Sequence, residues 1–361
     1  MSASNLREKG ISMQETARNP HFMSWLGRAH KHLRDWLLWY VAGVILAGWG
    51  LGYIGQAAIM PDSTRLSSWI TVAVFLMIYP MMVTIRLDFL AKAARNARAL
   101  SLVLAYNFLW APPVGYALAK LFLPEAELAL GFLLVMVVPC SSMSIGYTGL
   151  AEGNVELATI SVAASFVMAL LAVPLWMRWL GSGLGAVPMD LIVQAILTVL
   201  LLPMVLGYLT RAVLLRRLGE LRFQRYVPGF HLVTQVSMLT VIFLIFLVKA
   251  PLLVEKWTMM VWLSVPNVLF VVATLALITA VDRWLGFGYA DHMGMVFAST
   301  GKNNGTAVAL ATAAFSPMVA IPAATLPIFQ IVFLAGYLKM GGWLRRYYHR
   351  GGAEDPCEAP R

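Results

Sequence analysis

Apolar runs of about 20 residues, the length a helix needs to cross a hydrocarbon layer roughly 30 Å thick, recur along the whole chain between short polar clusters. Ten can be marked, at 36–55, 67–85, 99–122, 126–149, 155–179, 189–210, 228–249, 257–280, 289–314 and 318–341. The punctuation between them is Pro61-Asp62-Ser63, the basic stretch 86–98, Leu123-Pro124-Glu125, Glu152-Gly153-Asn154, Gly181-Ser182-Gly183, the arginine-rich stretch 211–226, Glu255-Lys256 and Asp282-Arg283. No long segment alternates apolar and polar residues as a barrel strand does. The pattern predicts an all-α integral membrane protein of ten transmembrane helices, with a polar N-terminal extension over 1–35 and a tail over 342–361.

Composition agrees. The 361 residues are 60% hydrophobic and 12% charged, with a mean hydropathy of +0.75, whereas soluble domains are roughly half apolar and a quarter charged. The net charge of +10 does not mark a nucleic-acid surface, because Lys and Arg fall in short clusters between the apolar runs. With the N-terminus in the cytoplasm, sixteen basic residues fall on the inner side, among them Arg28, Arg86, Arg211, Arg283 and Arg345. Five (Arg65, Lys120, Arg178, Lys249 and Lys256) fall on the outer side. Positive charge is retained inside, so both termini are expected in the cytoplasm and the chain in the inner (plasma) membrane. Cys140 and Cys357 are too far apart to imply a disulfide framework, and no four-ligand zinc site follows. Residues before Trp36 contain no signal-peptide core. No phosphate-binding Walker motif is present, which excludes transport driven by ATP hydrolysis on this chain. The histidines, including His21, His30, His32 and His231, fall near ends or in loops without metal-ligand spacing and are assigned no chemistry. No metal or cofactor is expected. The expected partners are a small-molecule or oxyanion substrate and the lipid bilayer, with the chain a monomer or homodimer.

Ten spans divide into five and five, 36–180 and 189–341, and an odd number per half turns the second half upside down in the membrane, the arithmetic of an inverted repeat. The fourth span of each half carries a polar interruption, PCSSMSIGYTG at 139–149 and STGKNNGT at 299–306. The third spans match loosely, with Asn107 ahead of Pro112-Pro113 in one and Pro266-Asn267 in the other. Backbone that leaves helical geometry inside a bilayer is tolerated only where protein or a water-filled cavity pairs its N–H and C=O groups. Close packing of small residues is the alternative reading of either segment singly. Two interruptions at corresponding positions of opposed halves point instead to broken, crossing helices four and nine around a midplane site.

The residues there define the candidate chemistry. Cys140 lies deep in the fourth span beside Ser141, Ser142 and Ser144; a small buried residue is the plain reading, and a soft ligand for a thiophilic centre the functional one. Lys302 sits about a dozen residues from either end of the ninth span, where an ammonium costs at least ~2.5–3.5 kcal/mol and cannot easily snorkel. It faces an anionic solute, substitutes for a bound cation, or carries a proton. Asn303, Asn304 and Thr306 offer groups that coordinate an ion or a hydroxylated solute, or that simply bond helix to helix. Asn107, Asn267 and Gln330 are amides of the same ambiguous kind. Ser141 and Ser142 lack an intramembrane His or Asp partner, which disfavours an intramembrane enzyme or receptor.

With the spans placed, several segments resemble the arsenite-efflux permeases of the bile acid/arsenite/riboflavin transporter superfamily. These are LMIYPMMVTIRLDFL at 76–90, AYNFLWAPPVGYALAKLFLP at 105–124 and VPCSSMSIGYTGLAEGN at 138–154, in which Cys140 falls where that family places its essential cysteine. The resemblance implies that spans 3–5 and 8–10 form a moving core and the others a supporting panel. It also implies efflux of arsenite or a related small oxyanion or metalloid with Cys140 as thiol ligand, to which Lys302, read from its depth in the ninth span, would add positive charge. The second half departs: that family carries a glutamate after the paired asparagines and another in the tenth span, where this chain has Asn303-Asn304-Gly305-Thr306 and Gln330. The related sodium/bile-acid symporters have a glutamate where Ser299 stands and a Ser-Asn pair where Ser144-Ile145 stands. Sodium coupling is thereby disfavoured, and an ion-coupled symporter or uniporter of a small organic anion is the alternative expectation.

Overall fold

The computed structural model describes residues 20–55, 63–89, 97–255 and 257–349, and these are helical almost throughout, with no β-strand among them. Pro61, Asp62, residues 90–96 of the basic stretch, Lys256 and Cys357, named above, lie outside the described residues. In chain order the helices are α1 (Pro20–Asp35), α2 (Leu37–Ile54), α3 (Ser63–Thr84), α4 (Ala97–Ala105) continuing through a π-helical turn (Tyr106–Trp110) into α5 (Ala111–Phe122), α6 (Ala126–Val137), α7 (Met143–Leu150) and α8 (Val155–Trp179). There follow α9 (Met189–Ala195) running through a second π-helical turn (Ile196–Leu201) into α10 (Leu202–Leu218), α11 (Glu220–Glu255), α12 (Trp257–Trp284), α13 (Tyr289–Thr300), α14 (Asn304–Ala314), α15 (Ile321–Lys339) and α16 (Gly341–His349).

Seven helical runs are long and apolar enough to cross a membrane: Leu37–Ile54, Ala97–Phe122, Val155–Gly183, Met189–Leu218, Glu220–Pro251, Val261–Trp284 and Ile321–Lys339. Each coincides with one of the expected spans. The remaining three runs correspond to shorter helices. That at 67–85 contains the apolar segment Trp69–Thr84 of α3, and those at 126–149 and 289–314 are split into α6 and α7 and into α13 and α14.

Three stretches read as polar connections are helical instead. The 211–226 loop shrinks to Gly219 between α10 and α11. Leu, Arg and Glu are good helix formers, and Arg216 and Arg217 in the last turn of α10 with Glu220 in the first turn of α11 complement the helix dipoles. Asp282 and Arg283 complete the last turn of α12 rather than leaving it. The N-terminal extension and the tail contain α1 and α16.

Helices α1, α2, α3, α10 and α11 pack mainly on one another, while α4 to α8 pack with α12 to α15. The second group holds the deepest core. Every residue of α6 from Leu128 to Val137 is buried, and so is every residue of α13 from His292 to Thr300. An apolar helix enclosed on all sides is surrounded by protein, not lipid. Leu46, Leu51 and Ile54 on α2 and Leu171 and Leu175 on α8 are exposed instead, as side chains facing hydrocarbon are.

Within the first group, α2 approaches α11 so closely that a Cβ on Gly52 would sit 2.3 Å from the Leu247 carbonyl oxygen and 2.6 Å from the Ala250 Cβ. Small residues of this kind bring helix backbones together where no hydrophobic force acts between helices in lipid. Gly52→Val is expected to lower the stability of the detergent-purified protein by about 1–3 kcal/mol through overpacking, read as a lower thermal unfolding midpoint. Gly50→Ala, in open space on the same helix, leaves that midpoint unchanged or slightly raises it.

Candidate functional site

Two interrupted segments meet inside the bundle. Helix α6 stops at Val137, where Pro139 has no N–H to continue it, and α13 stops at Thr300 before Gly301. The linkers 138–142 and 301–303 then run antiparallel, with Cys140 directly opposite Lys302. Ser141 N–H donates to the Gly301 carbonyl at 2.7 Å, and Asn303 N–H donates to the Pro139 carbonyl at 3.0 Å. Each break thus pairs backbone groups that the other leaves free, as a low-dielectric interior demands. Gly301 is required sterically: a Cβ there would lie 2.5 Å from Ser144 Oγ and 2.8 Å from the Phe297 carbonyl oxygen.

Lys302 is fully buried. Its Nζ donates to Asn107 Oδ1 at 3.0 Å, to the Asn107 carbonyl at 3.2 Å and to the Met136 carbonyl at 2.9 Å. An ammonium has three donors and no acceptor, so these three oxygens use all of them and none remains for a solute in this conformation. The arrangement is that of a cation held in a small oxygen cage, with the cation tethered to the chain. Asn107 is presented by the π-helical turn, where Pro112 and Pro113 remove the N–H groups that would have bonded the Phe108 and Leu109 carbonyls. Its Nδ2 donates to the Val103 carbonyl at 3.0 Å and the Ala298 carbonyl at 3.1 Å, so the one residue ties α4 to α13.

Cys140 is also fully buried, and its Sγ lies 3.1 Å from Ser165 Oγ of α8, which also accepts the Cys140 N–H at 3.2 Å. Ser141 is half-buried and its Oγ accepts from Met143 N–H at 3.2 Å. Ser144 Oγ donates to the Phe297 carbonyl at 2.8 Å. Asn303 Oδ1 caps α14 by accepting the Thr306 N–H at 3.0 Å, while its Nδ2 reaches Met81 Sδ of α3 at 3.3 Å. Asn304 Nδ2 donates to Gln330 Oε1, and Gln330 Nε2 to the Lys302 carbonyl, both at 3.4 Å. Four buried side-chain oxygens around this break have no partner: Ser299 Oγ, Thr300 Oγ1, Asn304 Oδ1 and Thr306 Oγ1. Each such group left unpaired costs roughly 1–3 kcal/mol, which a polar solute or water at the crossing would offset.

Cys140, Ser141, Asn107, Lys302 and Asn303 are therefore joined through the crossing and its hydrogen bonds, and Asn304 through Gln330. Asn267 is buried with neither amide atom partnered, and no hydrogen bond links it to the crossing. Sequence reasoning missed Ser165 and the Met136 carbonyl, neither of which carries a signal by residue type. It also placed the histidines outside the bundle, and one corrects that reading: His292 is fully buried in the first turn of α13, against Asp282. Among the described residues, no group of three or more His, Cys, Asp or Glu side chains could hold a metal ion.

A bundle of long apolar helices with two broken segments paired inside it is a multi-pass membrane protein built to move a small molecule. Residues 71–256 match the model of the Sodium Bile acid symporter family, and the chain belongs to that family, whose members are transporters and not enzymes. It is similar to the arsenical-resistance protein Acr3 of Corynebacterium glutamicum, with 25% identity over 345 residues that cover 91% of this chain and 92% of that protein. The arsenical-resistance protein Acr3 of Alkaliphilus metalliredigens is 25% identical over 262 residues, 67% of this chain and 71% of that protein. The uncharacterized sodium-dependent transporter YocS of Bacillus subtilis is 25% identical over 293 residues, 78% of this chain and 85% of that protein.

The cage around Lys302 has a measurable consequence. Asn107→Leu removes one of its three acceptors and also the bonds from Asn107 Nδ2 to the Val103 and Ala298 carbonyls, and is expected to destabilise the protein by more than the roughly 1.5–3 kcal/mol of a single hydrogen bond to a charged group. In a Lys302→Met background the same substitution costs less by about 1.5–3 kcal/mol, because no ammonium is left to satisfy, while the loss of the bonds to Val103 and Ala298 remains. The coupling is read from denaturation of the four proteins in a double-mutant cycle.

Proposed function

We propose that this protein is a secondary transporter that exports arsenite, or a related small oxyanion or hydroxylated metalloid, across the plasma membrane with both termini in the cytoplasm. Ten membrane crossings form two inverted five-helix repeats, 36–180 and 189–341. The broken segments α6–α7 and α13–α14 are the fourth and ninth crossings, and their meeting point is the binding site. The group of helices built on α4 to α8 and α12 to α15 moves against the rest, exposing that point to alternate sides.

The observation that carries the reading is a cysteine sulfur at the crossing, with buried, unpartnered side-chain oxygens around the break. A trihydroxy arsenic(III) species is thiophilic and hydroxylated. Cys140 binds its arsenic: the As–S bond forms as one As–O bond breaks, and the thiol proton leaves with the displaced hydroxide as water, so no oxidant or reductant takes part. A single thiolate ligand keeps the attachment reversible. Thr300, Asn304 and Thr306 take the remaining hydroxyls, and Ser141, Ser144 and Asn303 hold the crossing in shape. Lys302, caged by Asn107 and Met136, occupies the place of a bound cation and supplies the fixed positive charge on which coupling depends.

The similarity to Acr3 proteins over most of the chain supports arsenite as the substrate. The family model and the likeness to a sodium-dependent transporter favour a second reading, ion-coupled symport of a small organic anion.

Transport by everted vesicles or proteoliposomes decides between them. Cys140→Ser is expected to abolish arsenite movement, and unchanged transport would return the cysteine to a packing role. Omitting sodium leaves arsenite transport unaffected if Lys302 already fills the cation's place, whereas strict sodium dependence with organic-anion uptake would establish the second reading.

A further inference from the structure

Helices α1, α3, α10 and α11 bring their charged ends to one face of the molecule. Helix α2 runs parallel to α11, because a Cβ on Gly48 would meet the Phe243 carbonyl and Phe246, and one on Gly52 would meet Leu247 and Ala250. The backbone bonds from Trp36 N–H to His32 at 3.0 Å and from Tyr40 N–H to Trp36 at 3.1 Å carry α1 into α2, so α1 shares a face with the start of α11. There His30 Nδ1 lies 3.0 Å from Gln235 Oε1, and the His30 ring stacks on His231. Arg86, just past α3, has its Nη2 3.5 Å from Glu220 Oε1 in the first turn of α11, and α10 arrives through Gly219. With 36 residues, α11 is about 54 Å long against a hydrocarbon layer of roughly 30 Å, so its ends stand in the headgroup layers.

The cations of this face are open. Arg28 and Lys31 of α1, Arg216 and Arg217 of α10 and Arg222 and Arg225 of α11 are exposed, and none has a hydrogen bond, ion pair or ring contact among the described residues. The inner-side arginines of the other helix group are bonded within the protein. Arg98 donates to the Leu285 carbonyl at 2.6 Å and Arg283 to the Tyr347 carbonyl, while Arg345 pairs with Glu152 and Arg346 donates to the Gly342 carbonyl at 3.3 Å. Lys339 is the exception there, exposed and without a described partner. Retention of positive charge on the inner side accounts for the number of cations in each group. It does not account for one set being bonded internally and the other left free.

Large apolar side chains are exposed among the open cations: Leu221 at 85%, Trp25 and Trp36 at 52% and Tyr226 at 47%. Cations alone suit any polyanion. Apolar side chains between them select one that offers hydrocarbon beside its charge, and Trp and Tyr in particular favour the boundary between acyl chains and headgroups. Long basic side chains lay their stems along such a surface and carry the charge outward to the phosphates.

We propose that this face binds the phosphates of anionic lipids in the cytoplasmic leaflet through Arg28, Lys31, Arg216, Arg217, Arg222 and Arg225. Each guanidinium has a planar fork of donors that matches two phosphate oxygens, and Lys31 adds a point charge. The cytoplasmic placement rests on the transport reading above; the lipid binding does not. Such binding ties α1, α3, α10 and α11 to the bilayer surface. The group proposed to move, built on α4 to α8 and α12 to α15, has its arginines bonded internally and is left without that tie.

Titration of lipid into maltoside micelles of the full-length protein tests this, with the rise in thermal unfolding midpoint giving the apparent affinity. Phosphatidylglycerol is expected to bind at least about fivefold more tightly than phosphatidylcholine, the worth of a single basic residue at an anionic surface. Arg216→Gln/Arg217→Gln and Arg222→Gln/Arg225→Gln are each expected to lower the affinity for phosphatidylglycerol by about fivefold or more. Lys339→Gln/Arg346→Gln removes the same charge from the other group and leaves the affinity unchanged. Equal affinity of the wild type for the two lipids would overturn the proposal without recourse to any variant, and so would equal losses in all three double variants, which would mark a response to net charge alone. Inorganic phosphate, exchanged for chloride at constant ionic strength, is expected to leave phosphatidylglycerol binding unchanged; competition would assign the cations to a soluble phosphate and overturn the lipid assignment. Failure of the wild type to move arsenite in proteoliposomes would overturn the substrate reading and leave the lipid affinities as they stand.

Discussion

A polypeptide that stops being helical inside a bilayer must find partners for its backbone groups, and much of this structure follows from how that is met. Two breaks are placed opposite one another so that each supplies the other: Ser141 N–H to Gly301 and Asn303 N–H to Pro139. Neither break is tenable alone in hydrocarbon. Their pairing forces α6 and α13 into the centre of the bundle, requires glycine at 301, and sets Cys140 against Lys302. The completely buried surfaces of α6 and α13 are a consequence, since the helices that lead to the crossing need protein on every side.

The second constraint is charge. A lysine enclosed by protein is tolerable when its three donors are met, and the π-helical turn does this by bringing both the side chain and the carbonyl of Asn107 to the same Nζ. The turn also places Tyr106 against Asp282. Two buried ionisable side chains, Lys302 at the crossing and Asp282 where α12 meets α13, are thus anchored on adjacent residues of one π-helical turn. A π-turn is a common functional irregularity in a helix, and here it reaches both α13–α14 through Lys302 and α12 through Asp282.

Much of the architecture was legible from the chain. The positions of the helices followed from apolar runs, because hydrocarbon thickness sets their length, and the interruptions at 139–149 and 299–306 were marked by Pro, Gly and hydroxylated residues in otherwise apolar segments. Lys302 was conspicuous because an ammonium at that depth has no packing rationale. The errors had a common cause. The 211–226 stretch was read as a loop because it is charged, yet its arginines and glutamates are good helix formers and complement the helix ends. His292 and Asp282 were assigned to span boundaries because polar residues near the end of an apolar run normally meet water; the covering helix α16 encloses them instead.

Hydropathy, charge distribution and the few polar residues within apolar runs determined, without any coordinates, that this is a helical membrane protein with two special segments, since those properties reflect how each stretch partitions between water and lipid. Which atoms face which was decided only by the tertiary structure. Ser165 beside the sulfur, the Met136 carbonyl on Lys302 and the hydroxyl chain through Tyr337 and Thr279 are contacts between residues far apart in the chain. Residue type and spacing record local preference and solvent affinity. A hydrogen bond also needs distance and direction, and those exist only after the helices have packed.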